Sequence, residues 1–114
     1  MSESNRTPLK LVNNVRNDKG TWNLCFVNAT VQSLYGITEI RDYFKSMNSE
    51  NPVNQPVCGE ITRIFKSEGK SLESTSRLRK LIAERSGLGY MADGSQQDLM
   101  HFHDLLLRSI YCQY

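Results

Sequence analysis

Thr21-Trp22-Asn23-Leu24-Cys25-Phe26-Val27-Asn28-Ala29-Thr30-Val31-Gln32-Ser33-Leu34 sets a cysteine at the start of an amphipathic helix. Leu24, Val27, Val31, Leu34 and Tyr35 recur at three-then-four spacing, the pattern of one buried helical stripe. Asn23 precedes that stripe and reads as its N-cap, the side-chain oxygen accepting from a first-turn amide. Gly36 closes the helix after Tyr35. Cys25 then falls in the first turn, where unpaired N–H groups and the positive end of the helix dipole favour negative charge on sulfur. That setting suits a nucleophile. The competing reading is a small buried hydrophobe near a helix end, the common state of a free cysteine.

Upstream, residues 1–19 are polar apart from Leu9, Leu11, Val12 and Val15, and read as a loose leader that gains order as it nears Cys25. Asn17-Asp18-Lys19-Gly20 is turn chemistry, with Gly20 free to take a positive φ. Downstream, Thr38 caps a second expected helix from Glu39 to about Met47, with Ile40, Tyr43, Phe44 and Met47 inward. Asn, Ser and Pro residues mark a loop from Asn48 to Pro56. A third helix, about Val57 to Lys66, buries Val57, Ile61, Ile64 and Phe65. A fourth, about Ser74 to Arg85, carries the stripe Leu78, Leu81 and Ile82, with Arg77, Arg79, Lys80 and Arg85 as a solvated face. Gly87-Leu88-Gly89-Tyr90 makes a turn without the strand-then-helix setting of a phosphate loop. The fifth helix opens at Ser95, whose pairing with Asp98 resembles a capping box, and continues as Leu99, Phe102, Leu106 and Ile110.

The chain of 114 residues has the size of one small domain, and 39% hydrophobic with 23% charged residues suits a globular chain. A net charge of +2 argues for neither nucleic acid nor an anionic membrane. The polar start lacks the apolar core of a secretory signal, and no apolar run reaches membrane-span length. Three cysteines without close pairing suggest reduced thiols, and so cytoplasm or nucleus. Cys58, His101, His103 and Cys112 lack metal-site spacing, so neither metal nor cofactor is expected.

The opening stretch resembles the cysteine box of the ubiquitin-specific proteases, a papain-like family that writes it approximately as Asn-x-Gly-Asn-Thr-Cys-Tyr/Phe-Met-Asn-Ala, followed by Gln and Leu. Asn23, Cys25, Phe26, Asn28, Ala29, Gln32 and Leu34 match. Gly20, Trp22 and Leu24 stand where the family has Asn, Gly and Thr. Glu39-Ile40-Arg41-Asp42-Tyr43-Phe44 resembles the segment that follows. Gln96-Gln97-Asp98, then Phe102 and Leu105-Leu106, resembles a second signature, Gln-Gln-Asp-Ala-x-Glu-Phe-Leu-x-x-Leu-Leu, with Leu99, His101 and His103 as departures. Two signatures in the right order, roughly 70 residues apart, reinforce each other.

The resemblance implies a mainly α chain of about five helices, the thumb subdomain of a papain-like cysteine protease, over residues 20–114. It implies a deubiquitinase with Cys25 as nucleophile, Asn23 as an oxyanion donor, and Gln97 and Asp98 as supports near the cleft. Ubiquitin or ubiquitinated proteins would be the partners. In the family the base is a His from a later box on the palm, and no such box is present, so slow or absent hydrolysis is expected of this chain alone. His101 and His103, two residues apart on one helix, face different sides and are poor substitutes. A partner chain covering the palm-facing apolar surface is a further expectation. The alternative is a non-catalytic helical module that binds ubiquitin or another partner. A third and bland alternative, behind these two, is a small helical bundle whose matches are accidental.

Overall fold

The computed structural model describes residues 8–46, 56–93 and 97–110. Five helices form the body: α1, Cys25–Tyr35; α2, Thr38–Lys45; α3, Pro56–Lys66; α4, Ser76–Ser86; and α5, Leu99–Ile110. Two short strands, β1 at Lys10–Leu11 and β2 at Leu72–Glu73, pair in parallel. Among the described residues no helix is long and apolar enough to cross a membrane. Over the described residues the chain is mainly α, with the five helices its periodicity predicts.

Leu24, Val27, Val31, Leu34 and Tyr35, the predicted stripe, are all buried. Phe26 and Thr30 are buried too, because α1 packs against α2 on one side and α5 on the other. The α1–α5 seam holds an edge-on pair, Phe26 against Phe102, with centroids 5.3 Å apart and planes at 82°. Tyr35, Phe44 and Phe65 continue this packing in α1, α2 and α3, Phe65 taking both other rings edge-on.

Several local expectations change. Asn23 does not cap α1: Leu24 occupies that position without a side-chain cap bond, and Asn23 adopts a left-handed backbone at φ 53°. Asparagine tolerates that conformation better than most residues. In the turn before it, Asn17 takes the positive φ of 66°, while Gly20 sits inside a single 3-10 turn, Lys19–Thr21. Thr38 is the first residue of α2 rather than its cap, which falls on Ile37. Phe44 is buried as predicted, but Tyr43 is 60% exposed. Met47, the loop over 48–55 and the Ser95 cap lie outside the described residues. Arg79, read as part of a solvated face, is only 2% exposed. It shares a side of α4 with buried Ile82 and Ala83, three and four residues on, so helical spacing places it inward.

The described part of the leader, from residue 8 on, is tied down as well. Leu9 is buried, and its N–H and C=O are both taken by the Gln32 side chain, at 3.2 and 2.6 Å. The β1–β2 pair extends through the Val12 N–H to the Glu73 carbonyl at 2.9 Å. Arg63 on α3 clasps β2, bonding Glu73 and the Ser74 carbonyl as well as Glu60.

A half-buried pair, Lys45 of α2 with Glu68 of the turn after α3, ties α2 to that turn. The hydrogen bond from Lys45 and its charge hold the Glu68 carboxyl below its ordinary 4.5, with Lys70 adding to the effect. The depressed folded value makes this contribution present above the unfolded value and lost as pH falls through the folded one. Glu68→Gln is therefore expected to show a smaller fall in thermal midpoint than wild type between about pH 5.5 and pH 3.5. Parallel acid limbs in scanning calorimetry would show that the pair contributes nothing.

Candidate active site

Cys25 is the first residue of α1 and its side chain is exposed, whereas Cys58 is buried in α3. The helical stripe puts Cys25 at the start of α1, and the lead-in fixes how the chain enters it. The Leu24 N–H donates to Asn13 Oδ1 at 2.6 Å and the Asn23 N–H to Asn14 Oδ1 at 2.8 Å. Asn14 turns its own N–H to the Thr21 carbonyl at 2.6 Å, and it too is left-handed, at φ 54°. The Thr21 hydroxyl donates to the Asp18 carbonyl at 2.8 Å and accepts from the Val15 N–H at 2.7 Å. Two consecutive asparagines thus hold the two amides directly before Cys25.

The carbonyl side of the same lead-in faces Arg79. Its Nη1 donates to the Trp22 carbonyl at 2.7 Å, and its Nη2 to the Gly20 carbonyl at 2.9 Å and the Lys19 carbonyl at 3.5 Å. Burial depresses the Arg79 pKa, and the charge of Asp93 partly offsets this. Trp22, more exposed, donates through its indole Nε1 to the Val15 carbonyl at 3.2 Å.

Asn28, one turn beyond Cys25, joins three segments. Its Nδ2 donates to the Val12 carbonyl at 3.1 Å, and its Oδ1 accepts from the buried Thr75 hydroxyl at the start of α4. Gln32, one turn further, binds Leu9. Two polar positions of the cysteine box therefore face the leader and α4, and fix the orientation of α1.

Asp98 caps α5: its Oδ1 accepts from the Met100 N–H at 2.9 Å and its carbonyl from the Phe102 N–H at 3.0 Å. Gln97 Nε2 donates to the Tyr90 carbonyl at 3.3 Å in the 3-10 turn Gly89–Ala92. These two residues set the start of α5, which places Phe102 against Phe26, the neighbour of Cys25. His101 lies beside the Tyr90 ring, centroids 6.3 Å apart. Among the described residues no three His, Cys, Asp or Glu side chains form a group that could hold a metal ion.

Sequence reasoning singled out Cys25, Asn23, Gln97 and Asp98, and missed Asn13, Asn14, Thr75 and Arg79. The adjacent asparagines after an apolar pair were a readable turn signal, and Arg79 stands in register with the core of α4. Thr75 carried no signal.

A family model described as ubiquitin carboxyl-terminal hydrolase matches residues 16–114. The chain belongs to the ubiquitin carboxyl-terminal hydrolase family. Searches of curated proteins and of solved structures gave no match. The mainly helical hydrolase-family chain described above is compatible with the thumb-like helical portion of that fold, and family membership covers both the Cys25 stretch and the Gln97-Asp98 stretch.

Proposed function

We propose that the chain is the thumb portion, over residues 20–114, of a cysteine-type deubiquitinase in which Cys25 is the nucleophile. The observation that carries this reading is an exposed Cys25 at the first position of α1, with the amides before it held by Asn13 and Asn14. A rigid lead-in to a thiol at a helix start is what acyl transfer to sulfur requires. The Cys25 thiolate attacks the carbonyl carbon of the isopeptide bond at the ubiquitin C-terminus. The carbon–nitrogen bond then breaks, the amine leaves with a proton from a general acid, and water hydrolyses the thioester.

Asn23 would donate to the oxyanion, and Gln97 with Asp98 would act as supports through α5. The proton shuttle calls for an imidazole on a palm segment, so the 114 residues alone are expected to turn over slowly or not at all. Under this reading ubiquitin or ubiquitinated proteins are the partners, neither metal nor cofactor takes part, and the chain works in cytoplasm or nucleus, where thiols stay reduced.

The test is labelling with ubiquitin that carries a C-terminal electrophile, read by intact mass. An adduct of one ubiquitin is expected, absent in Cys25→Ala. Asn23→Gly suits the left-handed position while removing the side chain, so slower labelling in that folded variant would mark the donor role. No adduct on a chain shown to be helical by circular dichroism would defeat the nucleophile assignment.

A second reading draws on the open apolar groove between α1, α2 and α5, lined by Leu34, Ile40, Tyr43, Phe44, Leu107 and Ile110. A non-catalytic module that binds ubiquitin or a partner chain there would bind equally well in Cys25→Ala.

A further inference from the structure

Arg79 presents an uncommon arrangement: a guanidinium in the core whose two terminal nitrogens are both committed to main-chain carbonyls. Burying a cation costs several kcal/mol, and an alkyl side chain of similar volume would fill this place on α4 without that cost. What an alkyl chain lacks is a planar fork of donors that can gather several acceptors at once. The acceptors here belong to one short stretch. Lys19 and Gly20 lie in the 3-10 turn, where the Lys19 carbonyl also accepts from the Trp22 N–H at 3.1 Å, and Trp22 follows it.

The opposite edge of that stretch is held by Asn14 and Asn13, which take the amides of Asn23 and Leu24. The lead-in to Cys25 is therefore gripped on its carbonyl side by Arg79 and on its amide side by the two asparagines. Between the grips, Asn23 holds a left-handed backbone, φ 53°, a conformation that costs energy for a residue with a side chain.

We propose that Arg79 is a positioning residue for Cys25, acting through the carbonyls of Lys19, Gly20 and Trp22. The link to reactivity rests on Cys25 being the nucleophile; the grip on the turn does not. Ile82, on the same side of α4, shares the core but reaches no carbonyl of the lead-in, so Ile82→Val serves as a packing control.

Trp22 is the chain's single tryptophan, so its emission reports the gripped turn directly. In the full chain, Arg79→Ala is expected to retain helical circular dichroism while Trp22 emission shifts to the red. Labelling by the ubiquitin electrophile should slow about tenfold or more as the thiol loses its fixed place. Because the Arg79 side chain borders a surface cleft with Gly20, Ser76 and Lys80, free guanidinium can enter the space left behind. Millimolar guanidinium chloride should restore both readouts, equal sodium chloride neither, and Ile82→Val should match wild type throughout.

A folded Arg79→Ala with wild-type emission and labelling overturns the proposal, as does a guanidinium addition that restores neither. Should Arg79→Ala lose its helical signal, Arg79→Lys carries the test, since it keeps charge and stem but not the fork. Wild-type emission and labelling in Arg79→Lys would then overturn the proposal, and a red shift with slowed labelling would support it. A wild-type chain that takes no ubiquitin adduct defeats the nucleophile reading and the link to reactivity, and the emission arm alone then decides whether Arg79 grips the turn.

Discussion

Phe102→Ala is expected to lower the unfolding free energy by about 3–5 kcal/mol, the range for emptying a buried aromatic site. Phe102 is fully buried, and its ring meets Phe26 edge-on at the seam between α1 and α5. Truncation removes the transfer free energy of the ring, leaves a cavity, and deletes an aromatic pair worth about 0.5–1.5 kcal/mol beyond its area. The walls have little freedom to collapse, because α5 is anchored at its start by the Asp98 cap and α1 by Asn28 and Gln32. A domain of this size has about 5–15 kcal/mol to lose, so the variant should be close to unfolding at ambient temperature. Urea titration followed by circular dichroism measures the effect directly. A loss below about 1 kcal/mol would show that the α1–α5 seam is not part of the cooperative core.

The second large effect falls on a polar residue. Asn28→Ala is expected to cost about 2–3 kcal/mol, because two groups lose their partner at once. The Val12 carbonyl loses the Asn28 amide and the wholly buried Thr75 hydroxyl loses the Asn28 oxygen. Thr75→Val removes one end of this link while keeping the volume, so the double-mutant cycle isolates it. A coupling of about 1 kcal/mol is expected for side chains in direct contact. Strictly additive variants, within about 0.3 kcal/mol, would show that the Asn28–Thr75 bond contributes nothing to stability. The Asn28→Ala chain should also free the leader, exposing amides near Val12 to hydrogen exchange while the α3–α4 packing keeps its protection.

Asn28 also shows why parts of this molecule were legible and others were not. Its place in the cysteine box could be read from the sequence, but its task could not. An Asn one turn into a helix is compatible with a cap, a solvated face or a tertiary bond, and only the approach of Val12 and Thr75 selects among them. Arg79 is the sharper case. Composition and local charge made it surface, since charged side chains are rarely buried. The reversal comes from three carbonyls some 60 residues earlier, and no local pattern carries an interaction at that separation. The β1–β2 pair escaped for a related reason: two residues per strand are too few to show period-two alternation, and the partners are 62 positions apart.

Helix existence, by contrast, is written locally. Apolar residues at three-then-four spacing located all five helices with boundaries good to a few residues, because a helix satisfies its backbone internally and needs neighbours only to cover one stripe. The position of Cys25 at a helix start was equally local, following from the stripe that begins at Leu24. What the sequence by itself determined is therefore the set of helices, most of each buried stripe (Tyr43 and Leu99 are exposed instead), and a thiol placed where one of them begins. How the thiol is held was decided by tertiary structure alone. The amides before Cys25 are satisfied by Asn13 and Asn14, and the carbonyls by Arg79. Irregular backbone has no internal hydrogen-bond pattern, so its conformation is set by whatever donors and acceptors the fold brings to it.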